Sequence, residues 1–360
     1  MQHIPVPDIP NEQELSTQLR TAFHRIQTGQ FPDFRPRPCN GRGIIMCGGG
    51  KRLFSNGFVT IKMIRHWGCS LPIQWFYADA QEMTLEAIQL LEQYNVRCFN
   101  LGQQYPNIPL RGFQIKAFAL VETSFEECIF IDSDNMPLDN VTTLFDTAEY
   151  RNTGALFWKD YWTHETNSHH TNLHRKIHQM VEARALNTGE YEWESGQFVI
   201  HRQRHRTAVQ LVAFINANFK LFYSFMYGDK DTFRLAWLYL RSAHRVIEPP
   251  PGIVGRIQDG SFKGFGMIQY HPDGSPLFLH QTMYSWEDRD KTGEWNAWTD
   301  DYTSVMLTSA PDAAVSWIQN RKEQYQVKDL TPRMQIVMQY GRLCWNENDL
   351  LYHDLIERLQ

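Results

Sequence analysis

The most constraining stretch of this chain is Cys128-Ile-Phe-Ile-Asp-Ser-Asp-Asn135. Three apolar residues, Ile129 to Ile131, run without a break into Asp132, Ser133, Asp134 and Asn135, and Pro137 follows. A short apolar run that stops at polar turn residues reads as a parallel strand buried on both faces. In open α/β sheets the ligand lies beyond the carboxyl ends of the strands, so the two carboxylates stand where a ligand is expected. At i and i+2 in extended chain, Asp132 and Asp134 project to the same side and suit one hard divalent cation. Mg²⁺ or Mn²⁺ prefers oxygen ligands and is usually held by one or two carboxylates plus substrate phosphates. The expectation is a metal–diphosphate site for a nucleotide-sugar. The plainer alternative is a strand end closed by a polar turn. Asp-x-Asp recurs at Asp229/Asp231 and Asp288/Asp290, but only the first follows a buried-strand pattern. The EF-hand pattern is disfavoured, because its fifth and sixth positions would be Met136 and Pro137.

The segments before this stretch alternate between strand and helix. Gly43-Ile-Ile-Met-Cys47 reads as the first buried strand and runs into Gly48-Gly-Gly-Lys-Arg52, after which Val59–Trp67 reads as a helix. Glycines let a backbone approach a phosphate or base, and a helix N-terminus favours anions. Gly48, Gly49 and Lys51 are therefore candidate nucleotide-binding residues, although the pattern is neither G-x-G-x-x-G nor a P-loop; a tight turn is the equal alternative. Residues 71–77 and 96–99 read as strands, and 84–94 and 112–123 as helices. Lys116 lies on the last of these, within reach of a diphosphate or sugar hydroxyl if it is not simply solvated. The alternation argues for an α/β fold with a mostly parallel sheet.

Beyond the carboxylates, residues 142–150 read as a short helix and 153–158 as a strand. Trp158 and Trp162 are candidates for stacking on an acceptor sugar or for core packing. Residues 163–178 are rich in histidine, and His170, His174 and His178 fall at helical spacing. No His-Glu-x-x-His accompanies them, so a polar helix face is the reading. Glu194 and Gln197 lie at the start of a strand ending at His201, and a helix follows over 206–218. Asp229 and Asp231 open another helix through Leu240, as caps or as site residues. Ser275–His280 reads as a last strand with His280 at its tip. Three regions follow: 1–40, an N-terminal helix (11–28) and connector; 41–290, the α/β domain; and 291–360, a mainly helical extension with helices over 313–326 and 331–360.

Composition narrows the function. The net charge is −5 with no basic stripe, which disfavours a nucleic-acid partner. Six scattered cysteines without Cys-x-x-Cys disfavour structural zinc and a disulfide framework; reduced thiols are expected, with Cys69–Cys98 as the pair an oxidising compartment would favour. No signal peptide begins the chain and no apolar run is long enough to span a bilayer, so the chain as given reads as soluble and cytoplasmic. Nothing in it sets the oligomeric state.

Several motifs, in order over about 43–285, resemble a known family. They are the run Gly43 to Lys51, Leu71-Pro-Ile, Phe113-Gln-Ile-Lys116, Thr123-Ser-Phe, Asp132-Ser-Asp-Asn-Met-Pro137, Leu144-Phe, Thr153-Gly-x-x-Phe-Trp-x-Asp160, Glu194-Ser-Gly-Gln197 and Gly228-Asp-Lys-Asp-Thr-Phe233. Together they are similar to the fungal Golgi α-mannosyltransferases that branch mannan with α-1,2 linkages, glycosyltransferase family 71. The resemblance implies a GT-A fold, a GDP-mannose donor, Mn²⁺, a glycan acceptor and retention of anomeric configuration. It implies that Asp132, Asp134 and His280 hold the metal. It places Lys116, with Ser133, by the donor, and Glu194, Asp229 and Asp231 near the transferred sugar as candidate catalytic residues. It implies a Golgi lumenal setting if a membrane anchor lies outside this chain. A sugar-nucleotide nucleotidyltransferase and a non-catalytic glycan-binding protein of the same fold remain as alternatives.

Overall fold

The computed structural model of the chain describes residues 17–18, 21–22, 24–26, 28–29, 34, 37–110, 112–163, 191–223, 228–258, 261–282, 295–300, 307–308, 317–321 and 327–347. The histidine-rich segment, the Trp162 side chain and Asp288/Asp290 lie outside them. Within the expected N-terminal helix, residues 17–18, 21–22 and 24–26 are helical.

The expected strands form one sheet. Strands β1 (Arg42–Cys47), β2 (Ile73–Tyr77), β3 (Val96–Asn100) and β4 (Glu127–Ile131) pair in parallel, in the order β3-β2-β1-β4. Alternate residues fill two halves of the core. Ile44, Met46, Ile129 and Ile131 lie in one half, and Ile45, Cys47, Cys128 and Phe130 in the other. With both faces covered, apolar residues run consecutively rather than alternating. The chain steps from β1 to β2 to β3 on one side, then crosses β1 to place β4 on the other. Such a reversal of strand order opens a crevice at the carboxyl ends of the two central strands. Here those strands are β1, ending at Gly48, and β4, ending at Asp132.

Beyond β4 the sheet becomes mixed. Strand β5 (Asn135–Pro137) leaves it, while β6 (Ala155–Thr163), β7 (Tyr191–His201) and β8 (Arg245–Val246) extend it. Strand β7 runs antiparallel to both β4 and β6, and β8 is parallel to β6. Strand β7 is therefore the one that opposes the other six. Flanking helices are α1 (Gly50–His66), α2 (Leu85–Glu92), α3 (Ile115–Glu122), α4 (Arg206–Ala217) and α5 (Lys230–Tyr239). Helix α1 starts at Gly50, earlier than expected, because the glycine turn is only Gly48 and Gly49. Residues 141–153 hold a 3₁₀ turn (Val141–Asp146) and a short helix (Ala148–Thr153), divided where the Thr147 hydroxyl accepts the Tyr150 amide.

A second, antiparallel sheet was not visible in the sequence. Strands β9 (Gly252–Gln258) and β10 (Ser261–Tyr270) form its centre, and β11 (Pro276–His280) pairs with β10. Its remaining strands correct the expected helical extension. Strands β12 (Ala297–Thr299), β13 (Leu307–Thr308), β14 (Trp317–Arg321) and β15 (Lys328–Asp329) all join this sheet. A strand thus stands inside the expected helix at 313–326, because pairing with β10 decides its conformation. The expected C-terminal helix does form over its described part, as α6 (Pro332–Glu347). Met334 and Val337 of α6 are fully buried in the same core half as α1. Cys69 and Cys98 are free thiols, and no helix among the described residues is long and apolar enough to cross a membrane.

Candidate active site

The carboxylates and the distant histidine meet because β4 hands the chain to the second sheet. After Asp132 the chain turns and enters β5, which pairs antiparallel with β11 in a register that sets Asn135 opposite His280. The Gln281 amide donates to the Asp134 carbonyl at 2.8 Å, closing the ladder. His280 Nε2 consequently lies 3.2 Å from Asp134 Oδ1, across 146 residues of sequence. Asp132, Asp134 and His280 each offer one ligand atom, all within 4.8 Å of one another. Two carboxylate oxygens and an imidazole are a donor set that fits Mn²⁺ or Mg²⁺, with Mn²⁺ the more tolerant of nitrogen.

Gly196, at the middle of β7, makes room for this cluster. Its carbonyl accepts the Asp132 amide at 2.8 Å and Asn135 Nδ2 at 3.0 Å. A Cβ there would sit 2.5 Å from His280 Cε1. Asn135 Nδ2 also donates to Gln197 Oε1 at 2.5 Å, and Gln197 Nε2 to Gln269 Oε1. These fully or almost fully buried amides tie β5, β7 and β10 together beside the Asp132–Asp134–His280 cluster.

Lys116 is the buried cation of the site. Helix α3 carries it to within 2.7 Å of Asp132 Oδ2 and 3.6 Å of Asp229 Oδ2, and its Nζ also donates to the Ser195 carbonyl at 3.2 Å. It is therefore not a solvated helix lysine. Burial opposes its charge, but Asp132 and Asp229 outweigh that and raise its pKa, so it stays cationic. Burial pushes the Asp132 carboxyl up to about 7 despite Lys116, and the neighbouring Asp134 adds to the shift. Burial also opposes the charge of Asp134, but His280 holds it below the usual carboxylate range. The same contact raises His280 to about 9 against its own burial. Asp229 sits at the N-cap of α5 but makes no capping bond with its side chain; its carboxylate faces Lys116 instead, and burial raises its pKa.

The other expected residues fall at varied distances from this centre. Glu194 lies within β7 rather than at its start, partly exposed, with Oε1 accepting the Ser195 and Gly196 amides at 2.9 and 2.7 Å. Asp231 is buried in the first turn of α5, beside a separate charge cluster. Gly48 and Gly49 close on their surroundings. A Cβ on Gly48 would meet the Trp75 ring at 2.8 Å, and one on Gly49 would meet Glu82 at 2.6 Å. Gly50 has φ +71°, a left-handed value that favours glycine. Lys51 is half-buried in the first turn of α1 and is not among the ion pairs of the Asp132 cluster. Ser133 is buried, and its carbonyl accepts the Thr60 hydroxyl at 2.7 Å, pinning the loop to α1. Trp158 is core: it is 1% exposed, its Nε1 donates to the Tyr270 carbonyl at 2.7 Å, and it packs edge-on to Phe278.

Sequence reasoning missed Ser195 and Gly196 as residues with a role, and it missed the second charge cluster. Asp160 of β6, Glu192 of β7 and Lys230 of α5 form that cluster. Lys230 Nζ lies 3.1 Å from Glu192 Oε2 and in direct contact with Asp160 Oδ2. The only available signal was a lysine between two aspartates at a helix start, which would oppose the helix dipole if exposed.

A doubly wound parallel half with paired carboxylates at its switch point, continued by a mixed half and joined by a second, antiparallel sheet that brings a histidine to them, defines a GT-A type of protein. Residues 41–271 match the family described as "Mannosyltransferase putative", and the chain belongs to that family. Among curated relatives, the alpha-1,2-mannosyltransferase MNN2 of Saccharomyces cerevisiae is 25% identical over 272 residues, covering 64% of this chain and 45% of that protein. The alpha-1,2-mannosyltransferase MNN22 of Candida albicans is 23% identical over 347 residues, covering 78% and 58%. The chain thus spans about half the length of the curated relatives it matches. Among solved structures, mouse xyloside xylosyltransferase 1 aligns with a TM-score of 0.40 at 10% identity, over 58% of this chain and 85% of that one. The galactosyltransferase LgtC aligns with a TM-score of 0.38 at 14% identity, over 54% and 69%.

Proposed function

We propose that this protein is a metal-dependent, retaining hexosyltransferase that moves mannose from GDP-mannose onto a glycan hydroxyl in α linkage. The observation that carries the reading is the convergence of Asp132, Asp134 and His280 beside the buried Lys116, at the switch point of the sheet. A divalent cation on those three side chains would neutralise the diphosphate as it leaves.

The chain's own residues supply the rest. Lys116, cationic and anchored between Asp132 and Asp229, offers a fixed positive charge next to the departing phosphate. Its position costs no reorganisation, because Ser195 and the two carboxylates already hold the ammonium. In a front-side route the leaving phosphate takes the proton of the acceptor hydroxyl, and Glu194 orients the sugar. In a double-displacement route a carboxylate attacks the anomeric carbon as its bond to the nucleoside diphosphate breaks, and the acceptor hydroxyl then displaces that carboxylate, giving its proton to the departed phosphate. That role falls to Glu194, because it is partly exposed whereas Asp229 and Asp231 are 3% and 1% exposed.

The test is a donor panel. GDP-mannose, GDP-fucose, UDP-glucose, UDP-galactose and UDP-GlcNAc are each incubated with Mn²⁺, and released nucleoside diphosphate is measured for wild type and Asp134→Ala. Release from GDP-mannose alone, abolished in the variant, is the expected outcome. Release from another donor overturns the assigned sugar. Absence of release from every donor, with equal Mn²⁺ stabilisation of both proteins, overturns the transferase reading.

A further inference from the structure

The second charge cluster lies one residue from the first. Consecutive residues at the start of α5 send their charges in opposite directions: Asp229 toward Lys116, and Lys230 toward Asp160 and Glu192. The β6–β7 register shifts between Lys159 and Thr163, and this irregularity sets Asp160 and Glu192 beside the same ammonium. Asp160 and Glu192 are 4% and 0% exposed. Two buried like charges at that spacing repel unless a cation lies between them. A lysine in the first turn of a helix opposes the helix dipole. Its presence there is explained by the carboxylates it neutralises, and its bonds tie the helix start to the two strands.

We infer that Lys230, held by Asp160 and Glu192, is a positioning residue that fixes the first turn of α5 and so sets the Asp229 carboxylate against Lys116. The opposite side of this turn is already braced. Thr232 Oγ1 donates to the Asp229 carbonyl at 2.5 Å and accepts Asn216 Nδ2 at 2.9 Å, and the Tyr223 hydroxyl donates to Asn216 Oδ1 at 2.5 Å. Those bonds hold the backbone of the turn to α4. Lys230 supplies the complementary tie to the sheet, so that Asp229 is clamped between two supports. The charge of Glu194 acts on both clusters, adding to the rise in pKa of Lys116 and of Lys230.

The kinetic arm of the test rests on the transferase reading; the structural arm does not. Lys230→Met strands two buried carboxylates and endangers folding, so it is paired with the neutral cluster Asp160→Asn/Glu192→Gln/Lys230→Met. In both variants, amide hydrogen exchange at residues 229–233 is expected to accelerate at least tenfold while the strands of the sheet stay protected. Donor turnover should lose at least tenfold in kcat, with KM for the donor and the affinity for Mn²⁺ within twofold of wild type. Placed on an Asp229→Asn background, the neutral cluster should cost less than a further twofold, because Lys230 acts through Asp229. Unchanged exchange at 229–233, or kcat losses that multiply across the double variant, overturns the inference. If wild type releases nucleotide from no donor, the transferase reading falls, and the exchange result alone decides the role of Lys230.

Discussion

Gly196 is the residue on which most of the site depends, although it carries no functional group. Its carbonyl is committed to Asp132 and Asn135, so its backbone cannot retreat, and any side chain meets the His280 ring. Gly196→Ala should therefore displace the imidazole and weaken Mn²⁺ binding roughly 10–100-fold, the range seen for residues that orient metal ligands. Titration of Mn²⁺ by calorimetry checks this, alongside a melting curve that should move by only a few degrees. His205 gives a different kind of prediction. Burial lowers its pKa from 6.5 to about 4, and its Nε2 lies 2.9 Å from the Thr153 carbonyl, to which the neutral ring donates. The unfolded chain takes up the proton first, so stability is full above pH 6.5 and is lost as pH falls toward 4. At pH 5 the loss amounts to about 2 kcal/mol. Urea midpoints of wild type and His205→Gln between pH 7 and 5 should converge as the pH drops.

At the scale of elements, α6 is held by burial rather than by the site. Met334 is fully buried against the core half that α1 closes, so Met334→Ala should cost about 2–5 kcal/mol. Thermal unfolding will show the loss, while Mn²⁺ affinity should be unchanged because Met334 packs in the core with α1 and is not part of the Asp132–Asp134–His280 cluster. The elements also explain what could be read in advance. Strands β1, β2 and β4 are buried on both faces, so their apolar residues run together and stop at polar or glycine turns, which made them legible; the edge strand β3 is buried mainly at Val96 and was legible from its place after a helix. Strands β9 and β10 were not, because Gly252, Gly255, Gly264 and Gly266 interrupt their apolar pattern. Two of those gaps are needed by the packing: a Cβ on Gly252 would meet the Tyr270 hydroxyl at 2.5 Å, and one on Gly266 the His280 carbonyl at 2.9 Å. Strand β14 read as a helix because its own residues tolerate either state, and its pairing with β10 and β13 decides. In the site, Asp132 and Asp134 were legible from local pattern alone. Lys116 was noted from its helix as able to reach a diphosphate, and His280 as a strand tip, but the metal-ligand role of His280 came only through resemblance, since nothing in their own surroundings separates them from an ordinary helix lysine and strand-end histidine. The Asp160–Glu192–Lys230 cluster escaped notice because its members are 32 and 38 residues apart in sequence and meet only at an irregularity between two strands.

At the scale of the molecule, the three candidate metal ligands straddle two sheets: the carboxylates leave β4 of the first, and the histidine ends β11 of the second. The two-stranded contact between β5 and β11 is the join. A chain ending at Gln258 keeps β1 to β9 and both carboxylates but lacks the histidine and the strand that orients it. It should show no specific Mn²⁺ stabilisation, and a separately made 261–360 segment should not restore it unless the join re-forms. The same join has a temporal meaning. During synthesis at about 5–20 residues per second, the carboxylates emerge on the order of ten seconds before their imidazole. Until then the nascent chain owns only half a binding site. The three side chains come together only when β11 pairs with β5, so a cation held by all of them would report that the second sheet has joined the first.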